Sequence, residues 1–378
     1  MKWFGRKSGR EGSRPVLARG AGMAVPLGEW PQSYEAQVRS GYAANPVAQR
    51  AVKFVMDAIA GAPLAASDPA LLTLANARMQ GLELSATLAA QLMLHGNAYV
   101  QILGDGAGGV AELFALRPER VSVETDAAGW PVAYRYRVGG SVTPIAAEDA
   151  SGRVQLIHIR GFNPLDDHYG LGCLGAASGA IAIHNAATRW NKALLDNAAR
   201  PSGALVYEPG DGSALSPAQF DRLKGEMEAG FAGAANAGRP MLLEGGLKWQ
   251  AMSMTPADMD FVGLKAAAAR EIALAFGVPP MLIGLPGDNS YANYREANKA
   301  VWRMTILPLA DLVLTALAQG LAPWFADAKL WVEVDKVPAM AEDRERLWRS
   351  VSGADFLSDA EKRVMLGLGQ GPEQERGS

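Results

Sequence analysis

The sequence predicts an α+β fold, because helical and strand patterns occupy separate stretches of the chain. A helical beginning is followed by short strands and glycine-rich turns up to about residue 165. Two long helical stretches then flank a small mixed insert, and a Gly/Pro-rich loop separates the second of them from a further long helix. Elements in this order indicate a helical hairpin with a globular tip, joined to an α+β body.

The composition is that of a folded protein without a strong charge. The chain has 378 residues, of which 49% are hydrophobic, and a formal net charge of −3. This charge argues against a tight DNA binder, but it is compatible with a protein that surrounds DNA and lets it slide. A single cysteine, Cys173, indicates a reducing compartment. The four histidines lack helical pairing, so the sequence predicts no metal site, and it predicts no cofactor.

The first part of the chain is predicted to form the α+β body. Residues 1–24 are basic and rich in Gly and Ser, and we expect a flexible arm there. Asn45-Pro46 begins a helix that Gly61 ends, and a second helix runs from about Ser85 to Leu94. Alternating apolar residues then indicate strands at 99–103, 120–124, 132–138 and 156–159.

A helix of small residues, from about Leu174 to Ala199, follows this body. Its many alanines would allow another helix to approach closely, within one subunit or between subunits. Arg200-Pro201 ends this helix, and a compact insert begins in which Ser216 to Gln219 forms a capping box. Three stretches of the insert are expected strands: 204–207, 240–244 and 248–252.

The stretch from Thr255 to Phe325 is predicted to form two long helices around a loop. Thr255-Pro256 is typical of a helix start, and Gly277 of a helix end. Apolar residues of the first helix recur at steps of three and four, at Phe261, Leu264, Ala268, Ile272 and Phe276. The second helix begins near Tyr291 and is interrupted by Pro308. A short polar loop between two such helices can line a passage.

The residues around this loop are the candidates for contact with a ligand. Asp288, Asn289, Ser290 and Asn293 are short and polar, and the pattern assigns them to no core. The aromatic residues that follow, Tyr291, Tyr294 and Trp302, could stack on bases, but their helical spacing favours core packing.

Two other functions compete with a passage. The sequence Gly104-x-Gly106-x-x-Gly109 matches a dinucleotide fingerprint, which would make the chain a nucleotide-cofactor-binding enzyme. The residues before Pro118 are too few for the helix that this fingerprint requires, so a hairpin turn is favoured. The apolar stretch Met304 to Phe325 is long enough for a membrane pore, but it contains Pro308 and Asp311, which favours a buried helix.

Two charged clusters have weaker interpretations. Asp166-Asp167-His168 could contribute to a cation site, but a solvated loop is favoured because the ligand set is incomplete. A charged helix from Met340 to Val351 is expected to present a solvated or interface face, and the sequence identifies no partner for it. A capping box at Ser358 to Glu361 begins the last helix.

Taken in order, motifs from about residue 45 to residue 367 resemble those of the portal protein family of tailed bacteriophages and phage-derived gene transfer agents. The most specific motif is Ile272-Ala-Leu-Ala-Phe-Gly-Val-Pro-Pro280, followed by Met281 to Gly284 and by Thr305 to Pro308. The other motifs are Asn45-Pro46, 60–64, 95–99, 116–118, Ile159-Arg160, Asn191, 201–205 and 357–363.

The resemblance implies a homo-oligomeric ring, commonly a dodecamer, at one capsid vertex, and it implies no enzymatic activity. Double-stranded DNA would pass through the channel, pumped by a separate large terminase and released through a head–tail adaptor. The major capsid protein would be a further partner, and no membrane would be involved. Such a protein is expected in the virion, and in the bacterial cytoplasm during assembly.

The resemblance also divides the chain and assigns roles to residues. It implies a wing at 25–165, stem helices at 166–200 and 256–277, a clip at 201–255, a tunnel loop at 278–293, a kinked helix of the wing at 291–325, and a crown with a disordered tail at 326–378. The residues expected to contact DNA are Asp288, Asn289, Ser290, Tyr291 and Asn293. The residues expected at the adaptor or terminase interface are Phe220, Arg222, Glu226, Arg239 and Lys248.

Overall fold

A computed structural model describes residues 17, 33–79, 81–196, 203–208, 215–231, 247–251, 260–287 and 290–367. The α-helices of these residues are α1 (Tyr34–Gln37), α2 (Pro46–Ala60), α3 (Pro69–Ala75), α4 (Leu84–His95), α5 (Cys173–Asp196), α6 (Pro217–Phe231), α7 (Phe261–Ala275), α8 (Tyr291–Val301), α9 (Leu307–Leu321), α10 (Ala341–Ser352) and α11 (Asp359–Met365). The strands are β1 (Leu64–Ala66), β2 (Arg78–Met79), β3 (Leu82–Glu83), β4 (Asn97–Gly104), β5 (Val110–Leu116), β6 (Val121–Thr125), β7 (Pro131–Val138), β8 (Ser141–Ala146), β9 (Leu156–Arg160), β10 (Gly203–Tyr207), β11 (Leu247–Ala251) and β12 (Leu330–Val332).

The chain divides into two compact units, and the mixture of helices and strands confirms the α+β class. The first unit contains Arg50–Ala176 and the described residues from Leu274 onward. The second contains the described residues of Gly28–Gln49 and of Ala177–Ala273. Each unit therefore combines segments that are far apart in the sequence.

Three layers form the body of the first unit. An antiparallel sheet in the order β5-β4-β9 lies between the helices α4 and α9 on one face and a second antiparallel sheet, β6-β7-β8, on the other. Neighbouring residues of the central strand β4 contact the two outer layers: Val100 packs with the helices, whereas Tyr99 packs with the second sheet. Both of these residues are fully buried, because successive side chains of a strand point to opposite faces.

Helix α9 lies unusually close to the sheet. A side chain at Gly320 would overlap the side chain of Ile157 on β9. The apolar face of α9, including Val313, Leu317 and Leu321, belongs to the same buried cluster as strands β4 and β9. By length and composition the continuous helix Tyr291–Leu321 could cross a membrane. The buried apolar residues of its α9 half pack in the core with the protein's own sheet instead, so the membrane-pore interpretation is not supported.

A crossing of two backbone segments fixes the start of β4. Gly96 has φ +81°, and a side chain there would overlap the backbone of Leu171 and Gly172. The side chain of Asn97 joins the same two segments, since its Oδ1 accepts from Gly170 N at 2.7 Å and its Nδ2 donates to Gly170 O at 3.1 Å. Glycine is therefore required at position 96, where the two backbone segments approach closely.

The cluster Asp166-Asp167-His168 has a structural role in this crossing. Asp166 accepts hydrogen bonds from the backbone of His168 and Tyr169 at 2.7 and 2.9 Å. The His168 side chain is buried and donates from Nε2 to Gly129 O at 2.6 Å. The expectation of a solvated loop is therefore wrong for His168, because the turn folds this ring inward.

The second unit holds together through α5. Asn45 caps the start of α2 by accepting from Val47 N and Ala48 N, and its Nδ2 donates to Asn185 on α5 at 2.9 Å. Further along α5, Trp190 stacks on Phe261 of α7 with ring centroids 5.6 Å apart. Strands β10 and β11 form an antiparallel pair, with α6 between them in sequence.

The locally encoded elements agree with expectation. The capping box predicted at Ser216 is present: Gln219 N donates to Ser216 Oγ at 3.3 Å, and Ser216 N donates to the Gln219 side chain at 2.9 Å. The box at Ser358 is present as well. Gly277 ends α7 with φ +66°. The expected helix start at Thr255-Pro256 and the expected strand 240–244 lie outside the described residues.

Candidate functional site

The candidate site is the segment that joins α7 to α8. Gly277 ends α7, and its carbonyl oxygen accepts a hydrogen bond from Thr305 Oγ1 at 2.7 Å. A side chain at Gly277 would lie 2.8 Å from this hydroxyl, so only glycine allows the approach. A 3₁₀ turn over Pro280–Ile283 follows, with Leu282 buried, and Gly284 ends it with φ +85°. The loop therefore leaves the body of the first unit after a fixed point.

The loop returns to the body through a capped helix. Ser290 caps α8, since its hydroxyl accepts from Asn293 N at 3.2 Å. The predicted DNA-contact residues Ser290, Tyr291 and Asn293 are all exposed, and the structure places them together on the first turn of α8. Asp288 and Asn289, predicted for the same role, lie outside the described residues.

The aromatic residues after the loop do not pack in a core. Tyr291 is 78% exposed and Tyr294 is 47% exposed. The expectation of core packing is therefore wrong for both, because only Lys299 and Val301 of α8 are buried. The guanidinium of Arg295 lies 5.3 Å from the centre of the Tyr291 ring, which makes this exposed face both cationic and aromatic.

A cluster of charges connects α8 to α10. The side chain of Lys299 is only 7% exposed, and its Nζ lies 2.9 Å from Glu342 Oε2 and 3.1 Å from Glu296 Oε1. Arg295 also pairs with Glu342, at 2.5 Å, and Arg303 pairs with Asp343. We call these six residues the α8–α10 clamp. It gives the acidic start of α10 the partner that sequence analysis did not identify.

The clamp keeps both of its central groups charged. The hydrogen bond from Lys299 is the main reason why the pKa of Glu342 lies below its ordinary value. The pKa of Lys299 is raised, because Glu342 and then Glu296 accept hydrogen bonds from its ammonium group. A pair in which each partner stabilises the charge of the other stays ionised across the neutral range.

Between α8 and α9 the helix is wound more loosely. Residues Trp302–Ile306 form a π-helical segment, in which Leu307 N donates to Trp302 O five residues back. Pro308 follows directly and has no N–H to donate to Met304 O, so a regular α-helix would leave that carbonyl without its bond. The predicted interruption at Pro308 is thereby confirmed, and it takes the form of a π segment one turn earlier.

The residues predicted for the adaptor or terminase interface form two separate ion pairs. On α6, Arg222 Nε lies 2.9 Å from Glu226 Oε1, and Phe220 is 57% exposed. Lys248 on β11 pairs with Glu208 at 2.8 Å. All of these side chains belong to the second unit and are exposed. Arg239 lies outside the described residues.

The competing enzyme site is a hairpin turn. Gly104 to Gly109 joins the antiparallel strands β4 and β5, and Asp105 accepts from Ala107 N and Gly109 N at 2.8 Å each. The turn contains no helix N-terminus that could face a pyrophosphate, so the nucleotide-cofactor interpretation is not supported. Among the described residues, no group of three or more His, Cys, Asp or Glu side chains could hold a metal ion.

Comparisons with known proteins agree with the order of these elements. The sequence model of the phage portal protein family matches residues 46–367. The chain belongs to the phage portal protein family. That match includes both the loop that precedes α8 and the α8–α10 clamp.

Solved structures extend this result. A chain in the virion of a native gene transfer agent (GTA) particle is 49% identical, with a TM-score of 0.71, over 90% of this chain and 95% of its own length. A chain in the neck of a native GTA particle, computed with C12 symmetry, is 48% identical with the same TM-score, over 91% and 96% of the two chains. The probable portal protein of Streptomyces phage phiC31 is 26% identical over 74% of this chain and 63% of its own.

Proposed function

We propose that twelve copies of this chain form a ring at the portal vertex of a particle of the gene transfer agent type. The observation that carries the proposal is the 48% identical chain from a neck computed with C12 symmetry. Its similarity covers nearly the whole length of both chains, so a shared assembly is the simplest inference. Identity to the phage phiC31 protein is lower, at 26%, which favours a gene transfer agent over a phage.

The second unit supports contact between copies. Helix α5 contains no charged residue from Cys173 to Thr188, although Ile183, Ala186 and Thr188 are exposed. A helix with a solvated outer face normally carries charges there. An exposed face without charges is suited to a neighbouring subunit, and a cyclic ring repeats the same contact around its axis.

We infer that the loop before α8 faces the channel and touches double-stranded DNA. Ser290 at its end and Tyr291 and Asn293 on the first turn of α8 are exposed and offer hydroxyl, aromatic and amide groups. The charge of Arg295 beside Tyr291 is paired with Glu342. Contacts of this kind allow DNA to slide, because few phosphate charges are neutralised. In the same scheme the residues of α6 and β11 meet the terminase and later the head–tail adaptor, and the ring sits in the shell of major capsid protein.

Two measurements test this function. The mass of the purified protein in solution, with negative-stain images, should show a wide ring with a central hole, and a compact monomer or dimer would contradict the proposal. Shortening the segment Pro286 to Asn293 by partial deletion should leave rings intact and impair DNA packaging or retention. Rings that fail to form after this deletion would show that the loop is structural, and normal packaging by intact rings would exclude its contact with DNA.

A further inference from the structure

The exposed half of the long helix is attached to the body by few buried residues and by a set of ion pairs. In α8 only Lys299 and Val301 are buried, whereas every residue from Ser290 to Glu296 is exposed. A surface helix is normally held by a stripe of apolar residues. Besides its contacts with the 3₁₀ turns Pro280–Ile283 and Pro338–Met340, α8 is held by the α8–α10 clamp. The position of α8 therefore depends in part on ion pairs with a different helix.

The clamp has the spacing of a single helical face. Arg295, Lys299 and Arg303 recur at steps of four, which brings them to one side of the helix. That side meets Glu342 and Asp343 in the first turn of α10, where acidic residues are also favoured by the helix dipole. The three basic residues lie on both sides of the junction between α8 and the π segment, since Arg303 belongs to the π segment.

The π segment is a place where the helix can bend, so an anchor above it would fix the direction of α8. In this segment the N–H of Leu307 donates to the carbonyl five residues back, and a helix interrupted in this way can bend at the interruption. Below it, α9 is fixed in the apolar core. Above it, α8 and its cap extend from Val301 to Ser290 over about 16 Å at the rise of an α-helix. A rotation of about 10° at the π segment would thus shift the end of the loop by about 3 Å.

We infer that Lys299 is a positioning residue, through which α10 sets the place of the loop before α8. This inference rests on the proposed function, in which that loop touches DNA. It gives α10 a defined role: a force or partner that moves α10 would also move the loop. An ion pair with one buried partner is weak evidence for stability, and fixing one geometry is a better-attested use of it.

Hydrogen exchange of the purified full-length protein, in whatever assembly it forms, tests the inference. Lys299→Met keeps most of the volume and removes the charge. We expect amides of residues 291–298 to exchange about tenfold faster, while those of 313–321 keep their rates, because local opening would increase above the π segment alone. Lys299→Arg should restore the slow exchange. Lys336→Met is the matched control, since it removes an exposed lysine that pairs with Glu333 at 2.6 Å.

Two results would overturn the inference. Unchanged exchange at residues 291–298 would show that the clamp does not hold α8. An equal acceleration at residues 313–321 would show that Lys299 supports the whole fold. If Lys299→Met fails to fold, Glu342→Gln decides in its place, because Glu342 is 45% exposed and the same exchange pattern is expected from it.

The exchange experiment needs no DNA, so it separates the clamp from the proposed function. Failure of the portal role would appear as absent rings or normal packaging after loop deletion, with the exchange pattern unaffected. With rings intact, Lys299→Met should also lower the fraction of particles that retain DNA. Normal retention despite faster exchange at 291–298 would overturn the link between the clamp and the loop.

Discussion

The two halves of the helix from Tyr291 to Leu321 are held in opposite ways. The lower half, α9, buries Ala310, Val313, Leu314, Leu317, Ala318, Gly320 and Leu321 against a sheet. The upper half, α8, buries two residues, one of which is a lysine. Apolar packing is close to rigid and tolerates little displacement. Ion pairs act over longer distances and respond to salt, so the half that bears the loop is the adjustable one.

The largest effect is expected from a substitution that creates a cavity in the lower half, α9. Leu317→Ala should lower the free energy of unfolding of the first unit by about 2–5 kcal/mol, since Leu317 is fully buried. Leu312→Ala on the same helix, at a position 40% exposed, should cost about 1 kcal/mol or less. Chemical denaturation of both variants measures the difference. Equal losses would contradict the assignment of the buried face.

The next largest effect is that of acid, which should destabilise the sheet under α9 at a higher pH than it affects the clamp of α8. Burial lowers the pKa of His158 from 6.5 to about 3 and that of His95 from 6.5 to about 4. Both are neutral when folded and bind a proton when unfolded, so the unfolded state takes up protons as the pH falls below 6.5. Stability of the sheet therefore decreases by about 1.4 kcal/mol per pH unit for each histidine, down to its folded pKa.

The clamp should persist over the upper part of this range. The pKa of Glu342 is lowered, first by its hydrogen bond from Lys299, so its stabilising charge is lost only as the pH falls below 4.5. Between pH 6.5 and 4.5 we expect β4 to exchange faster while residues 291–298 keep their relative rate, after correction for intrinsic exchange. His158→Gln should reduce the slope by about one proton. An unchanged slope would contradict the role of this histidine.

Salt should have the smallest effect, and it should speed exchange in α8 and not in α9. Raising ionic strength from about 0.1 to 1 M shortens the Debye length from about 10 to 3 Å. The pairs of Arg295 and Arg303 are partly exposed and should weaken, so residues 291–298 should exchange a few times faster. Residues 313–321, held by apolar contacts, should exchange at the same rate or more slowly. Identical responses in the two halves would remove the distinction between them.

Local chemistry was the part of the fold that the sequence could predict. The capping boxes at Ser216 and Ser358, the helix end at Gly277 and the interruption at Pro308 depend on residues within one turn of each other. Patterns of that length can be read directly. The order of these elements was also sufficient for the family resemblance, because order and spacing survive where single residues change.

Contacts between distant segments could not be predicted. Lys299 and Glu342 are 43 residues apart in the chain, and nothing local to either indicates the other. The step of four between Arg295, Lys299 and Arg303 was a usable signal for a basic face, and the acidic start of α10 was a signal for its partner. Periodicity also misled for Tyr291 and Tyr294, since helical spacing does not show where a helix leaves the core.

The most direct test of the whole account is a density map of the assembled particle that resolves Gly284 to Ser290. We predict twelve copies around one axis, with this segment of every copy at the wall of the central opening and Lys299 in contact with the start of α10. A map with the segment on the outer rim of the ring, or a protein that remains a compact monomer, would contradict it.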